Sequence, residues 1–161
     1  MIVIIVLVVG ILIARVVGLL GVRGLNSWVA AVRVGLALML LFTAASHFTS
    51  MRHDLARMIP DFVPYPMAFV FFTGVCEVLG AIGLLLSRVR PIAGLALIIF
   101  FLLVLPSNIH AAMSGVTLRG EPATPLVLRI PMQLLFIVLT WWSTLSSRAR
   151  SPGNCSLEEV E

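Results

Sequence analysis

The stretch from residue 67 to residue 86 constrains the fold most, because it is twenty residues long and almost wholly apolar. A helix of that length spans about 30 Å, which is enough to cross the hydrocarbon core of a bilayer. One carboxylate, Glu77, lies in the middle of this stretch. An ionisable group at that depth is costly unless it is paired or hydrated. The sequence therefore predicts a transmembrane helix at the centre of a small bundle, with polar side chains of other helices around its acid.

Small residues surround this acid. They are Gly74, Gly80, Ala81 and Gly83. Small side chains let a second helix approach closely, and they are common where helices pack inside membranes. We therefore predict that these four residues lie at helix-packing interfaces.

Composition places the whole chain in a membrane. Of the 161 residues, 60% are hydrophobic and 11% are charged, which leaves too little polar surface to cover a soluble domain. The net charge of +4 comes from arginines that lie mostly at the ends of apolar stretches. This pattern describes membrane topology and argues against nucleic-acid binding. Cys76 lies in an apolar stretch and Cys155 in the polar tail, so the two cysteines are badly placed to form a disulfide.

Five apolar stretches predict an all-α, polytopic transmembrane bundle that forms a single domain over residues 1–146. The predicted spans are about residues 2–21, 28–48, 67–86, 92–113 and 126–145. Residues 147–161 are predicted to form a flexible cytoplasmic tail.

The loop between the second and third spans has helical amphipathicity. Met51, Leu55, Met58 and Ile59 fall on one face, and charged residues fall on the other. This pattern predicts a short helix in the membrane interface at about residues 51–59. It is either a lid over the bundle or a plain amphipathic connector, and we favour the connector.

Polar residues of four spans gather in one half of the bilayer. Because short loops make the spans antiparallel, the late ends of spans two and four meet the early ends of spans three and five. A rise of about 1.5 Å per residue places Thr73 and Glu77 about 9 and 15 Å deep from that side. We predict a ligand or proton pocket centred on Glu77. Its candidate residues are Glu77, His110, Arg129, Gln133, His47, Thr73 and Asn108.

Other interpretations of these residues stay open. Thr73, Asn108 and Gln133 are interpreted as polar groups that hold helices together, and His47 by itself as an interfacial side chain. Asn108 and His110 lie roughly 200° apart around a helix, so they cannot both face one spot. Arg129 is shallower than Glu77, so a direct ion pair would need a helix offset or a bridging group. No metal site is predicted, since two histidines and one carboxylate at different depths are a weak ligand set.

The arginines predict the orientation. On one side lie Arg15, Arg23, Arg33, Arg88, Arg90, Arg148 and Arg150, and on the other lie Arg52, Arg57, Arg119 and Arg129. An excess of arginine marks the cytoplasmic side. We therefore predict a multi-pass protein of the bacterial inner membrane, with the N-terminus outside, the C-terminus in the cytoplasm and the pocket in the outer half.

Three motifs resemble the DoxX family of small bacterial membrane proteins. They are Thr73-Gly74-x-x-Glu77-x-x-Gly80-Ala81-x-Gly83-Leu84, Pro106-x-Asn108-Ile109-His110-Ala111, and Arg129-x-Pro131-x-Gln133 with Trp141-Trp142. The similarity covers about residues 28–146, so it implies a four-helix DoxX-like core to which the first helix is an addition. Members of that family resemble the small subunit of thiosulfate:quinone oxidoreductase, and distant relatives act as receptor-assembly chaperones.

Two hypotheses follow from the residues and this resemblance. The first is an accessory subunit of a membrane redox complex, which binds a quinone or lipid around Glu77 and has a membrane or soluble oxidoreductase as its partner. The second is a noncatalytic scaffold or assembly chaperone whose polar cluster is structural. The sequence has no activated nucleophile, phosphate-binding loop or cofactor fingerprint, so we predict no catalytic residue and no enzyme that acts alone. A homo-oligomer is left open.

Overall fold

A computed structural model describes residues 2–60, 62–113, 117–118, 121–122 and 125–145. The predicted cytoplasmic tail, with Arg148, Arg150 and Cys155, lies outside the described residues, and so does Arg119.

Six α-helices make up most of the described chain. They are α1 (Ile2–Leu19), α2 (Trp28–Phe48), α3 (Arg52–Arg57), α4 (Pro66–Leu85), α5 (Arg90–Met113) and α6 (Leu126–Thr144). A 3-10 turn, Arg23–Leu25, joins α1 to α2, and two-residue strands β1 (Thr117–Leu118) and β2 (Glu121–Pro122) pair antiparallel between α5 and α6. All helices except α3 are long and apolar enough to cross a membrane. The prediction of an all-helical fold with five helices of membrane-spanning length is therefore confirmed.

Local sequence explains where α2 begins and where α3 ends. The Ser27 hydroxyl accepts a hydrogen bond from the Ala30 N–H at 3.1 Å and so caps α2. Helix α3 is shorter than the predicted 51–59, because it ends at Arg57. Pro60 cannot donate a helical hydrogen bond and disfavours a helical conformation in the residue before it, so the last predicted turn does not form.

Arginines hold one end of the bundle together. Arg33 Nε donates to the Ser143 carbonyl oxygen at 2.7 Å, and Arg90 Nε donates to the Leu84 carbonyl oxygen at 3.0 Å. Carbonyl groups in the last turn of a helix lack an intrahelical partner, so these guanidinium groups satisfy the C-terminal ends of α6 and α4. We call this end of the bundle, which contains Arg33 and Arg90, the arginine end. The start of α2 thus meets the end of α6, and neighbouring helices run in opposite directions.

Helix α1 packs against α2. A Cβ atom added to Gly35 would lie 2.5 Å from Ile11 Cγ1 and 3.0 Å from the Leu7 carbonyl oxygen, so the two helices cross with their backbones close. Beyond the crossing, Arg15 donates a hydrogen bond to the Asn26 carbonyl in the turn that leads into α2. This contact fixes α1 beside α2 at the arginine end.

Helices α2, α4, α5 and α6 form a closed ring, in which α2 and α5 each contact both α4 and α6. The hydrophobic core lies inside this ring and includes Leu36, Leu40, Leu84, Leu97 and Phe136. The sequence predicted α4 as the central helix, whereas the structure gives that place to α2, which also packs against α1. Each of the two helices has eight buried residues, so α2 is central because it contacts α1 as well as α4 and α6.

The four predicted packing residues of α4 lie at two interfaces or in the core. A Cβ atom added to Gly74 would come within 2.7 Å of His47 Cβ on α2. At Gly80 and Gly83 the added atom would come within 2.5 Å of side chains on α5. Ala81 is 1% exposed. Helix α4 therefore approaches α2 at one end and α5 at the other through residues that have little or no side chain.

Candidate functional site

A cavity of about 320 Å³ lies among the ring helices, away from the arginine end. The polar side chains in its lining come from all four ring helices. They are Thr43, Ser46, His47, Thr73, Glu77, Ser107, Asn108, Arg129 and Gln133. We call the end of the bundle that holds them the polar end. Six of the seven predicted pocket residues thus line one cavity, and His110 is not among the lining residues.

The rest of the lining is apolar. It includes four phenylalanines, among them Phe101 and Phe136, whose ring centroids are 6.0 Å apart. The apolar face predicted for the interfacial helix also belongs to this wall, since Met51, Leu55, Met58 and Ile59 all line the cavity. Helix α3 and the residues beside it therefore cover the cavity at the polar end, which favours the lid over the plain connector.

His47 is oriented by hydrogen bonds to α4. Its Nδ1 atom lies 2.8 Å from the Val70 carbonyl oxygen and 3.2 Å from Thr73 Oγ1. The Thr73 hydroxyl itself donates to the Val70 and Phe69 carbonyls at 2.9 and 3.0 Å. A carbonyl oxygen only accepts, so this geometry assigns the ring hydrogen of a neutral His47 to Nδ1. The other ring nitrogen, Nε2, then turns towards Glu77.

Glu77 is the buried acid of the site. Its Oε2 atom lies 3.7 Å from His47 Nε2. The residue is 9% exposed, and Oε2 has no hydrogen-bond partner among the described residues. The Thr43 hydroxyl of α2, which also lines the cavity, donates to the Met39 and Leu40 carbonyls at 3.2 and 3.0 Å. Because Gly74 lies one turn before Glu77 and directly under His47, a small residue there allows the imidazole to reach the acid.

A second polar network joins α5 to α6. Arg129 Nη1 donates to Asn108 Oδ1 at 2.8 Å, and Asn108 Nδ2 donates to Gln133 Oε1 at 3.4 Å. Gln133 Nε2 in turn donates to the Phe101 carbonyl oxygen. Pro106 has no N–H, so the carbonyl four residues earlier, that of Leu102, loses its usual helical partner. The bond from Gln133 goes to the preceding carbonyl, that of Phe101, and joins α6 to α5 beside this position.

His110 has a different place from the other candidates. Its Nδ1 atom lies 3.3 Å from the Met58 carbonyl oxygen, just after α3. Asn108 and His110 were expected to face different directions, and the structure places Asn108 at the cavity and His110 against the segment that covers it. His110 is thus positioned to hold the cover of the cavity.

A family model matches residues 36–144, more than half of the chain, and describes them as a domain of unknown function, DUF8561. The chain belongs to the DUF8561 family. The matched region begins within α2 and ends with α6, so it contains all the polar residues of the cavity lining and leaves α1 outside. No curated protein and no solved structure matches the chain.

His47 lies within the DUF8561 region, and its ring reaches further into the bundle than its place in the sequence predicted. Counting residues along straight helices put His47 at the membrane interface and Glu77 well below it. In the structure His47 is level with Val70, and its ring points inwards along α4 towards the next turns. The His47 side chain is long enough, and α2 and α4 approach closely enough at Gly74, for the ring to face Glu77 although the two residues lie at different depths.

Sequence reasoning missed three polar residues of the DUF8561 cavity as site residues. They are Thr43, Ser46 and Ser107. A signal existed for two of them, since Thr43 is four residues before His47 on the same helical face and Ser107 is next to Asn108. The aromatic walls gave no signal, because a phenylalanine in a transmembrane helix faces lipid, protein or a cavity equally well.

The site can bind by hydrogen bonds and charge. Acceptors lie on the Glu77 side, and Arg129, which carries only donors, lies on another wall of the same cavity. Among the residues that the structure describes, no group of three or more His, Cys, Asp or Glu side chains could hold a metal ion.

Proposed function

We propose that this chain is a membrane-embedded accessory subunit that holds an isoprenoid quinone or a lipid in the cavity of its four-helix ring. The observation that carries this proposal is one cavity in which apolar walls meet two separate polar networks. Small-molecule sites are mostly apolar, with a few polar groups that fix the orientation of the ligand. An amphipathic molecule with a compact polar head group fits that description.

The walls suit the two parts of such a ligand. Phe101 and Phe136 offer aromatic surfaces to a flat ring or an apolar chain. Arg129 can donate hydrogen bonds to a head-group oxygen, and Glu77 can accept one. The cavity lies at the polar end of helices that are long enough to span a membrane, so a ligand from the bilayer would have its head group near one membrane surface.

We also propose a membrane, an orientation and a type of partner for the chain. We place the chain in the bacterial inner membrane with its arginine end in the cytoplasm, because cytoplasmic ends of membrane helices are rich in arginine. The resemblance of its motifs to the DoxX family suggests that the ring is a DoxX-like core with α1 added. It also suggests a membrane or soluble oxidoreductase as the partner that would exchange electrons with a bound quinone.

One observation favours a second candidate, a noncatalytic scaffold or assembly chaperone. Asn108 and Gln133 bond to each other and to groups on α5 and α6, so this half of the polar cluster joins helices without any ligand. In that case the small-residue interfaces and the polar cluster would serve only to hold the bundle together.

Native mass spectrometry of the gently extracted protein separates the two candidates. We expect wild-type protein to carry a quinone or lipid in roughly one-to-one ratio. Val104 lines the cavity, so Val104→Phe should fill it and release this mass. Leu103, on the same helix, is 68% exposed, so Leu103→Phe is the matched control and should retain the ligand. Wild-type protein that is recovered without ligand, or a ligand that Val104→Phe retains in full, would overturn the proposal.

A further inference from the structure

We propose that the cavity selects a head group that donates a hydroxyl hydrogen, and that this hydroxyl binds between His47 Nε2 and Glu77 Oε2. The matching ligands are a quinol rather than a quinone, or a lipid with a free hydroxyl group. The inference rests on the proposed function, because it requires the cavity to be a ligand site, and it adds which chemical form is bound.

The hydrogen bonds of the His47 imidazole determine which ring nitrogen faces Glu77. Because Nδ1 lies 2.8 Å from the Val70 carbonyl oxygen, the hydrogen of the neutral ring is on Nδ1. The hydroxyl oxygen of Thr73, at 3.2 Å, can accept from the same hydrogen, since its own hydrogen is directed to α4 carbonyls. The Nε2 atom of a neutral His47 therefore presents a lone pair on the side of Glu77.

A gap separates the side chains of His47 and Glu77. Nε2 and Oε2 are 3.7 Å apart, beyond the range of about 2.7–3.2 Å for an N–H···O hydrogen bond. Oε2 is buried and has no hydrogen-bond partner among the described residues. An ionised carboxylate only accepts hydrogen bonds, and the Nε2 atom of a neutral imidazole that carries its hydrogen on Nδ1 does the same. With Glu77 ionised and His47 neutral, the pair presents two acceptors side by side, and no described residue satisfies Oε2.

A hydroxyl group matches this pair of acceptors. A hydroxyl group carries one hydrogen and can donate it to Oε2 or to Nε2. A quinone carbonyl or an ether oxygen has no hydrogen and would place a third acceptor beside two others. A site with buried polar groups discriminates strongly against an analogue that leaves those groups unpaired. The second oxygen of the ligand can accept a hydrogen bond in the quinol and in the quinone alike. The donors of Arg129 therefore do not distinguish the quinol from the quinone.

The test compares ligands on wild-type protein in lipid nanodiscs after removal of co-purified ligand. The probes are a short-chain benzoquinol under anaerobic conditions, the matching benzoquinone, and the dimethyl ether of the quinol. We expect the quinol to bind at least about tenfold more tightly than the other two. A tenfold preference for the reduced form raises the midpoint potential of the bound two-electron couple by about 30 mV. A monoacylglycerol and its dimethyl ether form a second arm, which tests a lipid as the source of the hydroxyl.

Variants assign the preference to the two side chains. Glu77→Gln keeps the size of the side chain but can direct an amide hydrogen to Nε2, so the preference for the hydroxyl form should fall to nearly one. Cys76→Ala is the matched control, because Cys76 is the preceding residue and does not line the cavity. The wild-type comparison of ligands needs no variant, so it remains decisive if Glu77→Gln does not fold.

The outcomes separate this inference from the proposed function. Equal affinity of wild-type protein for the quinol, the quinone and the ether would overturn the hydroxyl selection while leaving a ligand site. A preference that survives in Glu77→Gln would overturn its assignment to this pair. Binding of only the monoacylglycerol, with the ether rejected, would support the selection with a lipid as the ligand. Absence of binding by every probe would overturn the proposed function together with the inference.

Discussion

Glu77 is buried in the ring of helices. Specific hydrogen bonds hold the residues that surround it. The Val70 carbonyl and the Thr73 hydroxyl hold His47, and His47 faces the acid. Arg129 instead bonds to Asn108, in the second network. The cavity is therefore lined by two sets of polar residues that different pairs of helices support.

The contact between Asn108 and Gln133 should contribute to the stability of the bundle. Gln133→Leu and Asn108→Leu should each lower the free energy of unfolding in detergent, because each leaves a buried polar group without its partner. The double variant should cost less than the sum of the single variants, with a coupling energy of about 0.5–2 kcal/mol. Denaturant unfolding of the four proteins measures this energy. Strict additivity would show that the 3.4 Å contact contributes nothing to stability.

Among the elements, α2 and α4 determine the site because they cross at Gly74. The missing side chain brings His47 over the helix and within reach of Glu77. Helix α3 closes the same region, since its apolar face lines the cavity and His110 bonds to the residue that follows it. The cavity at the polar end thus depends on the close crossing of α2 and α4 at Gly74 and on helix α3, which covers it.

A methyl group at the crossing should be costly. In Gly74→Ala the new Cβ would lie 2.7 Å from His47 Cβ, so the helices must separate, at a cost of about 1–3 kcal/mol of stability. Gly24→Ala is the matched control, because an added Cβ there meets no atom within 4 Å. Thermal unfolding in detergent compares the two variants, and equal transition temperatures would argue against the close crossing.

The cover of the cavity should loosen when its contact with α5 is removed. In His110→Ala the Met58 carbonyl loses the His110 ring, so amide hydrogen exchange in residues 52–59 should become faster. His53→Ala is the control, because His53 lies on the exposed face of α3. Unchanged exchange in His110→Ala would show that this histidine does not hold the segment.

Several elements could be predicted because their signals are local. The start of α2 follows from Ser27, which caps it, and the spans follow from uninterrupted apolar stretches. The amphipathic pattern also gave the face of α3 that lines the cavity. The contact of His47 with Glu77 and the central place of α2 could not be predicted, because they depend on how two helices cross, and residue counts along straight helices do not contain that geometry.

The molecule as a whole has two unlike ends. The arginine end uses Arg33 and Arg90 to satisfy helix C-termini, and the polar end encloses the cavity. We propose that the arginine end faces the cytoplasm, because the cytoplasmic ends of membrane helices are rich in arginine. The DUF8561 region contains α4, α5, α6 and the part of α2 that carries the polar residues of the cavity, so a similar set of polar residues is expected to meet in other members of the family.

Cysteine labelling tests this orientation. In a background without native cysteines, His53→Cys on α3 should react with a membrane-impermeant thiol reagent that is added to intact cells. Ser87→Cys, in the exposed turn between α4 and α5, should react only after the cytoplasmic side is opened. The reverse pattern of labelling would invert the orientation.

The helices of the ring enclose Glu77 beside a cavity, and we propose that this cavity holds an amphipathic ligand. A crystal structure of the wild-type protein grown from a lipid phase tests this most directly. We predict that the Glu77 carboxyl group lies beside the His47 ring and that elongated density fills the cavity between that pair and Arg129. A carboxyl group that points into lipid, or a ring whose helices close on each other without space for a ligand, would contradict the account.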